Sequence, residues 1–212
     1  MPRNVNSVIV STMAVFIVMV LASIAPLDWS SYLLHQLGTL LFLALILVAY
    51  RYWYISSRSY VLAVIFLFIR IIGARYLYSY VPYDDWTQQL FGVQLGEFFG
   101  WQRNMYDRLV HFSYGLLLFN AMVESAKFIF KIRSVKLLIA IALMMNMSSS
   151  LLYELIEWGI ATTLSPEAAE AYNGQQGDIW DAHKDMALAL LGGLIAAAMV
   201  LFQTRKRSMI KL

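Results

Sequence analysis

The chain has 212 residues, of which 60% are hydrophobic and only 14% charged, with no cysteine and a formal net charge of +3. Its mean hydropathy is +0.63. Charged residues make up about a quarter of an ordinary soluble domain, so this is an integral membrane composition. The lack of cysteine excludes disulfides, iron–sulfur clusters and thiol catalysis. The basic residues are spread between apolar runs rather than gathered in one stripe, which reads as membrane orientation and not nucleic-acid binding.

Six apolar runs follow in chain order, roughly Val8–Leu27, Tyr32–Tyr50, Tyr60–Tyr78, Asp107–Val123, Leu137–Ala161 and Asp185–Gln203. Each is long enough for a membrane-spanning helix. Together they predict an all-α, polytopic membrane protein of one domain, with about six transmembrane helices. The first run mimics a signal peptide at "SIA" (Ser23–Ala25), but Pro26 would block cleavage, so it is expected to stay as a helix. Between the third and fourth runs, "DDWTQQLFGVQLGEFFGW" (Asp84–Trp101) suggests a short interfacial helix with Asp84 as N-cap.

Arg3, Arg51, Arg58, Lys127, Lys131, Arg133, Lys136, Arg205, Lys206, Arg207 and Lys211 fall on one side of these runs, eleven of the sixteen basic residues. The positive-inside rule makes that side cytoplasmic, with both termini inside. All thirteen acidic residues except Glu124 fall within the spans or toward the other side. Acidic residues carry little orientation signal, so topology does not explain this bias. A site that uses carboxylates does.

Helix rise gives the depths. Span four enters at "YDRLVHFSYG", which puts Asp107 at the boundary and His111 about 6 Å deeper. Span five brings Glu154 and Glu157 to about 27 and 31 Å from its basic end, the far edge of a core about 30 Å thick. Span six opens with Asp178, Asp181 and Asp185. Asp107, His111 and Tyr114 share one helical stripe, and Asn146, Ser150, Glu154 and Glu157 share another. Asp178, Asp181 and Asp185 form a third if the helix begins that early. It continues through Ala189 to Gly192, small residues suited to close helix packing. His183 falls off that stripe, toward the interface. In span three Arg70 falls about 15 Å in and Arg75 about 7 Å higher, so Arg70 needs Glu154, Asp107 or a bound anion as partner.

At these residues a family resemblance emerges. The chain resembles the YjdF-type family of bacterial inner-membrane proteins nearly end to end. Its last three spans resemble the VanZ-like family, whose pattern is Asp-Lys-x-x-His-Phe, Glu-x-x-Gln and Asp-x-x-Asp-x-x-x-Asn. Here these elements read "DRLVHF" (Asp107–Phe112), "ELIE" (Glu154–Glu157) and "DIWDAHKD" (Asp178–Asp185). Arg108 replaces the lysine, Glu157 the glutamine and Asp185 the asparagine, so this site is more anionic than the pattern. The resemblance implies an inner-membrane protein acting at the cell envelope and supplies no reaction.

The expected site has Asp107, His111, Glu154 and Asp181 as acid–base groups or as ligands of a divalent metal, with activated water as nucleophile. No Gly-x-Ser-x-Gly elbow is present, and Ser148–Ser150 read as packing. Arg70, Arg75, Glu157, Asp178 and Asp185 are the substrate-binding candidates, and the substrate class is a lipid or lipid-linked molecule. Two other readings stand beside it. A structural clamp would hold helices through the same polar groups. A proton- or ion-coupled transporter would use them as a relay, but no inverted repeat is visible.

Overall fold

The structure is a computed structural model that describes residues 3–209. Within those residues it contains nine helices and no strand: α1 (Val5–Ala22), α2 (Trp29–Tyr52), α3 (Ser57–Arg75), α4 (Tyr83–Phe91), α5 (Leu95–Phe99), α6 (Tyr106–Phe130), α7 (Val135–Ala161), α8 (Pro166–Asn173) and α9 (Asp181–Met209). Lys211 lies outside the described residues, as do the side chains of Arg205, Lys206 and Arg207.

Helices α1, α2, α3, α7 and α9 are long and apolar enough to cross a membrane. Helix α6 matches them in length, with 25 residues, but Asp107, Arg108 and His111 near its start and Glu124 and Lys127 near its end shorten its uncharged stretch. It lies between α3, α7 and α9, which shield the first three of these groups. The fold is thus the all-helical, multi-pass one expected, with α6 as its polar axis.

The ends of the helices explain where the apolar runs misjudge boundaries. α1 stops at Ala22 rather than Leu27, because Pro26 excludes helical geometry at Ala25, whose φ is 51°. α2 begins early, at Trp29, where the Asp28 carboxylate accepts the Ser31 N–H at 2.7 Å. α3 ends at Arg75 rather than Tyr78, since Leu77 and Tyr78 turn left-handed and the Tyr78 N–H closes on the Gly73 carbonyl at 2.8 Å. The interfacial segment forms two helices, not one. Asp84 caps neither; its carboxylate accepts the Gly96 N–H at 2.8 Å and ties α5 to α4. Helix α8 was not expected, although Ser165 caps it, Pro166 opens it and Gly174 closes it left-handed.

Close approach of α9 to its neighbours sets the bundle. A Cβ on Gly115 of α6 would strike the Ala189 carbonyl, and one on Gly192 of α9 would strike the Phe112 carbonyl. Backbone therefore meets backbone, as the small-residue stripe implies. Asn146 of α7 secures the third helix by donating to the Ala189 carbonyl at 2.9 Å.

The helices alternate direction, which separates a basic end from an acidic one. At the basic end Arg3 donates to the Tyr50 carbonyl, and the Asn4 N–H donates to Ser57 Oγ at 2.7 Å. Glu124, the one acid there, accepts the Ser56 N–H at 2.7 Å, which accounts for its exceptional position.

Candidate functional site

At the acidic end, α6, α7 and α9 bring their carboxylates together. Asp107, Arg108 and His111 lie in the first turns of α6; each is buried, as are Asp181 and Asp185 of α9. Two distinct arrangements result.

The first is an arginine clamp. Arg108 Nη2 donates to Asp181 Oδ1 at 2.6 Å and to Asp178 Oδ2 at 3.1 Å, and Nη1 donates to the Asp181 carbonyl at 3.1 Å. Arg103, from the segment before α6, adds a bond to Asp181 Oδ1 at 2.7 Å and bonds to the Gln175 and Gly174 carbonyls at 3.0 and 3.1 Å. Lys184 reaches Asp178 at 2.6 Å, and this hydrogen bond holds the Asp178 carboxyl below its ordinary range. Helix α9 starts only at Asp181, so Asp178 is not on its stripe. It belongs to the turn, where its Oδ1 also accepts the Trp180 N–H at 3.1 Å.

The second arrangement centres on His111. Its Nε2 lies 3.6 Å from Asp107 Oδ1, and its Nδ1 lies 3.6 Å from Glu154 Oε1. Both separations exceed direct hydrogen-bond length. Glu154 Oε1 has no hydrogen-bond partner among the described residues. Asp185 stands between the two arrangements: Arg108 Nη1 approaches its Oδ1 at 2.5 Å, yet the alignment leaves that oxygen without a proper hydrogen bond.

Ligand atoms of Asp107, His111 and Asp185 all lie within 4.8 Å of one another. Tetrahedral ligands bound at about 2.1 Å are spaced about 3.4 Å apart, so the 3.6 Å Asp107–His111 separation suits a small divalent cation. Of the expected metal set of Asp107, His111, Glu154 and Asp181, this grouping contains Asp107 and His111. Asp185 takes the place of Asp181, whose Oδ1 is already held by two guanidinium groups. Glu154 flanks the set through His111.

The arginines of span three also differ from expectation. Arg70 is buried but forms no ion pair within 4.0 Å among the described residues. The expected Arg70–Glu154 pair is absent because Glu154 turns to His111. Arg70 instead donates to the Tyr153 hydroxyl at 3.4 Å, and its guanidinium carbon sits 5.5 Å from that ring's centroid. Since α3 ends at Arg75, Arg70 is five residues from the helix end, and His111 is five from the start of α6. Both sit about 7.5 Å from the same end of the bundle, so Arg70 shares the level of His111 rather than lying mid-membrane. Arg75 does not join the site; it donates to the Leu21 and Ala22 carbonyls at 3.0 and 3.4 Å, closing the end of α1.

A cavity of about 460 Å³ runs beside this cluster. Helices α2 and α7 wall it, α3 and α6 floor it with Arg70 and His111, and Tyr172 of α8 covers one end. Sequence reasoning missed Arg103, Tyr153, Tyr172 and His35. His35 is 1% exposed, stacks on Tyr172 at 4.5 Å, and has neither ring nitrogen hydrogen-bonded among the described residues. A histidine inside the apolar run "LLHQLG" was its available signal. Arg103 lies in a connecting segment, on no helical stripe.

The comparisons agree with this architecture. Residues 7–206 match the family described as "Predicted membrane protein (DUF2238)". The chain is 29% identical over 196 residues to "Inner membrane protein YjdF" of Escherichia coli (strain K12), covering 92% of this chain and 90% of that protein. No solved structure matches. The VanZ-like pattern stands on its three motifs alone. The chain belongs to the DUF2238 family of predicted membrane proteins, and is a multi-pass inner-membrane protein built of apolar helices around a polar one.

Proposed function

We propose that Asp107, His111, Asp185 and Glu154 form a working site at the outer face of the membrane, acting on a lipid or lipid-linked substrate. The observation that carries this reading is the cavity whose wall includes His111 and whose sides are apolar helices. His111 sits between two carboxylates at 3.6 Å, an arrangement suited to relaying a proton or to sharing a divalent cation. A cation held by Asp107, His111 and Asp185 would supply Lewis-acid polarisation and an activated water. Arg108 orients Asp185, and Glu154 serves as the neighbouring base. The outer placement rests on six spans with cytoplasmic termini, which reporter fusions after Arg133 and near Gln175 test directly.

The site is tested by reconstituting the wild type and His111→Ala into bilayers of total bacterial lipid and comparing the lipid species by mass spectrometry over time. A species consumed or formed only with the wild type supports the reading. Identical profiles from both proteins, with carriers of every major headgroup present, contradict it. The structural reading is favoured at one place only: the Arg103–Arg108 clamp on Asp178 and Asp181 is a multiply bonded network that ties α9 to α6.

A further inference from the structure

The cavity is open along the bilayer. Leu37, Leu41 and Leu45 of α2 and Leu152 and Ile156 of α7 line it, and all five are exposed on the surface of the bundle. They face lipid across a seam between two helices. The lining on α2 runs from Leu34 to Leu45, eleven helical steps, and on α7 from Ser149 to Ile160, eleven again. That is about 16 Å along the axis, close to one leaflet of a hydrocarbon core about 30 Å thick. Leu45, Phe42 and Phe66, with the uncharged hydroxyls of Tyr114, Ser149 and Ser150, line the deep end, whereas Arg70, His111, Tyr153 and Tyr172 line the end near the membrane surface. The cavity is thus amphipathic along its length.

Arg70 sets the sign of what the polar end accepts. A guanidinium carries five N–H donors, and among the described residues Arg70 makes only the 3.4 Å bond to Tyr153. No carboxylate lies within ion-pair distance of it among the described residues. A cation buried within the membrane calls for a partner. Gly38 of α2 makes room for it: a Cβ there would lie 3.0 Å from both Nη1 and Nη2. The guanidinium is therefore seated over bare backbone, and both Gly38 and Arg70 line the cavity.

We infer that this groove holds one acyl chain of an anionic lipid, with the lipid's phosphate on Arg70. The assignment rests on the proposed lipid-directed site and specifies its substrate class: the chain lies between α2 and α7, and the headgroup is delivered beside His111. Charge complementarity selects the anionic headgroup, and the match to one leaflet selects an acyl chain over a soluble anion.

Native mass spectrometry of the full chain, released from micelles doped equally with phosphatidylglycerol and phosphatidylethanolamine, reads the assignment. The wild type should retain one phosphatidylglycerol in preference to phosphatidylethanolamine. Arg70→Gln should reduce that retention roughly tenfold, the value of one lost charge-assisted contact. Leu41→Trp, a surface change at the seam, should obstruct the groove and lower retention of both lipids; it carries the test if Arg70→Gln fails to fold. Equal retention of the two lipids by the wild type, or unchanged retention in Leu41→Trp, overturns the inference. Full displacement by excess inorganic phosphate also overturns it, because the ligand would then be a soluble anion. Selective retention without any His111-dependent lipid chemistry would sink the catalytic reading alone; His111-dependent chemistry without selective retention would sink the lipid seat alone.

Discussion

Asp178 and Asp181 meet three basic side chains at distances between 2.6 and 3.5 Å, whereas among the described residues Asp107 and Glu154 meet only His111, each at 3.6 Å. Both groups lie at the same end of one bundle and share the helices α6 and α9. Their difference separates two uses of buried charge. A carboxylate oxygen already held by two guanidinium groups, as Asp181 Oδ1 is, serves structure and is not free to bind or transfer anything. A carboxylate left short of donors remains able to take up a proton or a cation. Asp185, shared between Arg108 and the His111 cluster, joins the two. It lets the clamp position the site.

The largest expected effect comes from breaking the clamp at its centre. Arg108→Gln would leave Asp178, Asp181 and Asp185 facing one another without their common partner. Removing one member of a buried pair is strongly destabilising, so a loss on the order of 3 kcal/mol is expected. Thermal unfolding in detergent, with the yield of monodisperse protein, measures it; a wild-type midpoint would mean the clamp is ornamental.

Next in size is the response of the other group to metal. Zinc or manganese at a hundredfold excess over its dissociation constant would stabilise the fold by about 2.7 kcal/mol if it binds only the folded state. The wild type should carry about one ion per chain by elemental analysis. An Asp107→Asn/Asp185→Asn variant should lose both the ion and the thermal shift. Equal metal content in the two proteins would leave His111 with proton chemistry.

A smaller loss, about 1–3 kcal/mol, is expected from Gly192→Leu, which forces a side chain between α9 and the Phe112 carbonyl. Since both groups of acids depend on that contact, chemical activity should fall together with stability. Activity lost at full stability would place Gly192 in the site itself.

The smallest effects lie at the rim. Glu167→Gln and Glu170→Gln, on α8 away from the cluster, should leave stability and lipid chemistry unchanged. Lys184→Gln removes an exposed partner of Asp178. Because Lys184 holds the Asp178 carboxyl below its ordinary range, its stabilisation is complete above that range and fades as pH falls through the lowered value. The variant should therefore match the wild type in strong acid and fall slightly behind it at neutral pH, less so in high salt. A difference that grows on acidification would reverse the sign and reject the pairing.

Much of this was legible in the sequence because apolar length and helix rise are local quantities. Residue counts alone set Asp107, His111 and Glu154 at one level, and the small stripe from Ala189 to Gly192 implies a close neighbour for α9, which the structure shows to be α6. Ser165, Pro166 and Gly174 also spelled out α8, yet its eight mixed residues hold no apolar period to draw attention. What could not be read was partnership across helices. Whether Arg70 meets Glu154 or Tyr153 depends on how α3 and α7 are rotated, and no spacing within either helix records that. The same holds for Arg103, which reaches Asp181 from outside any helix, and for the change from Asp181 to Asp185 beside His111.

The contrast between the two carboxylate groups is tested most directly by unfolding Asp181→Asn and Asp107→Asn side by side in the same detergent. Asp181 accepts from Arg103 at 2.7 Å and from Arg108 at 2.6 Å, so its variant should unfold at a clearly lower temperature than the wild type. Asp107→Asn removes a buried charge whose one ion-pair contact among the described residues is His111 at 3.6 Å, so it should unfold at the wild-type temperature or above it. A midpoint that falls for Asp107→Asn and holds for Asp181→Asn would contradict the division of these acids into a structural clamp and a working site.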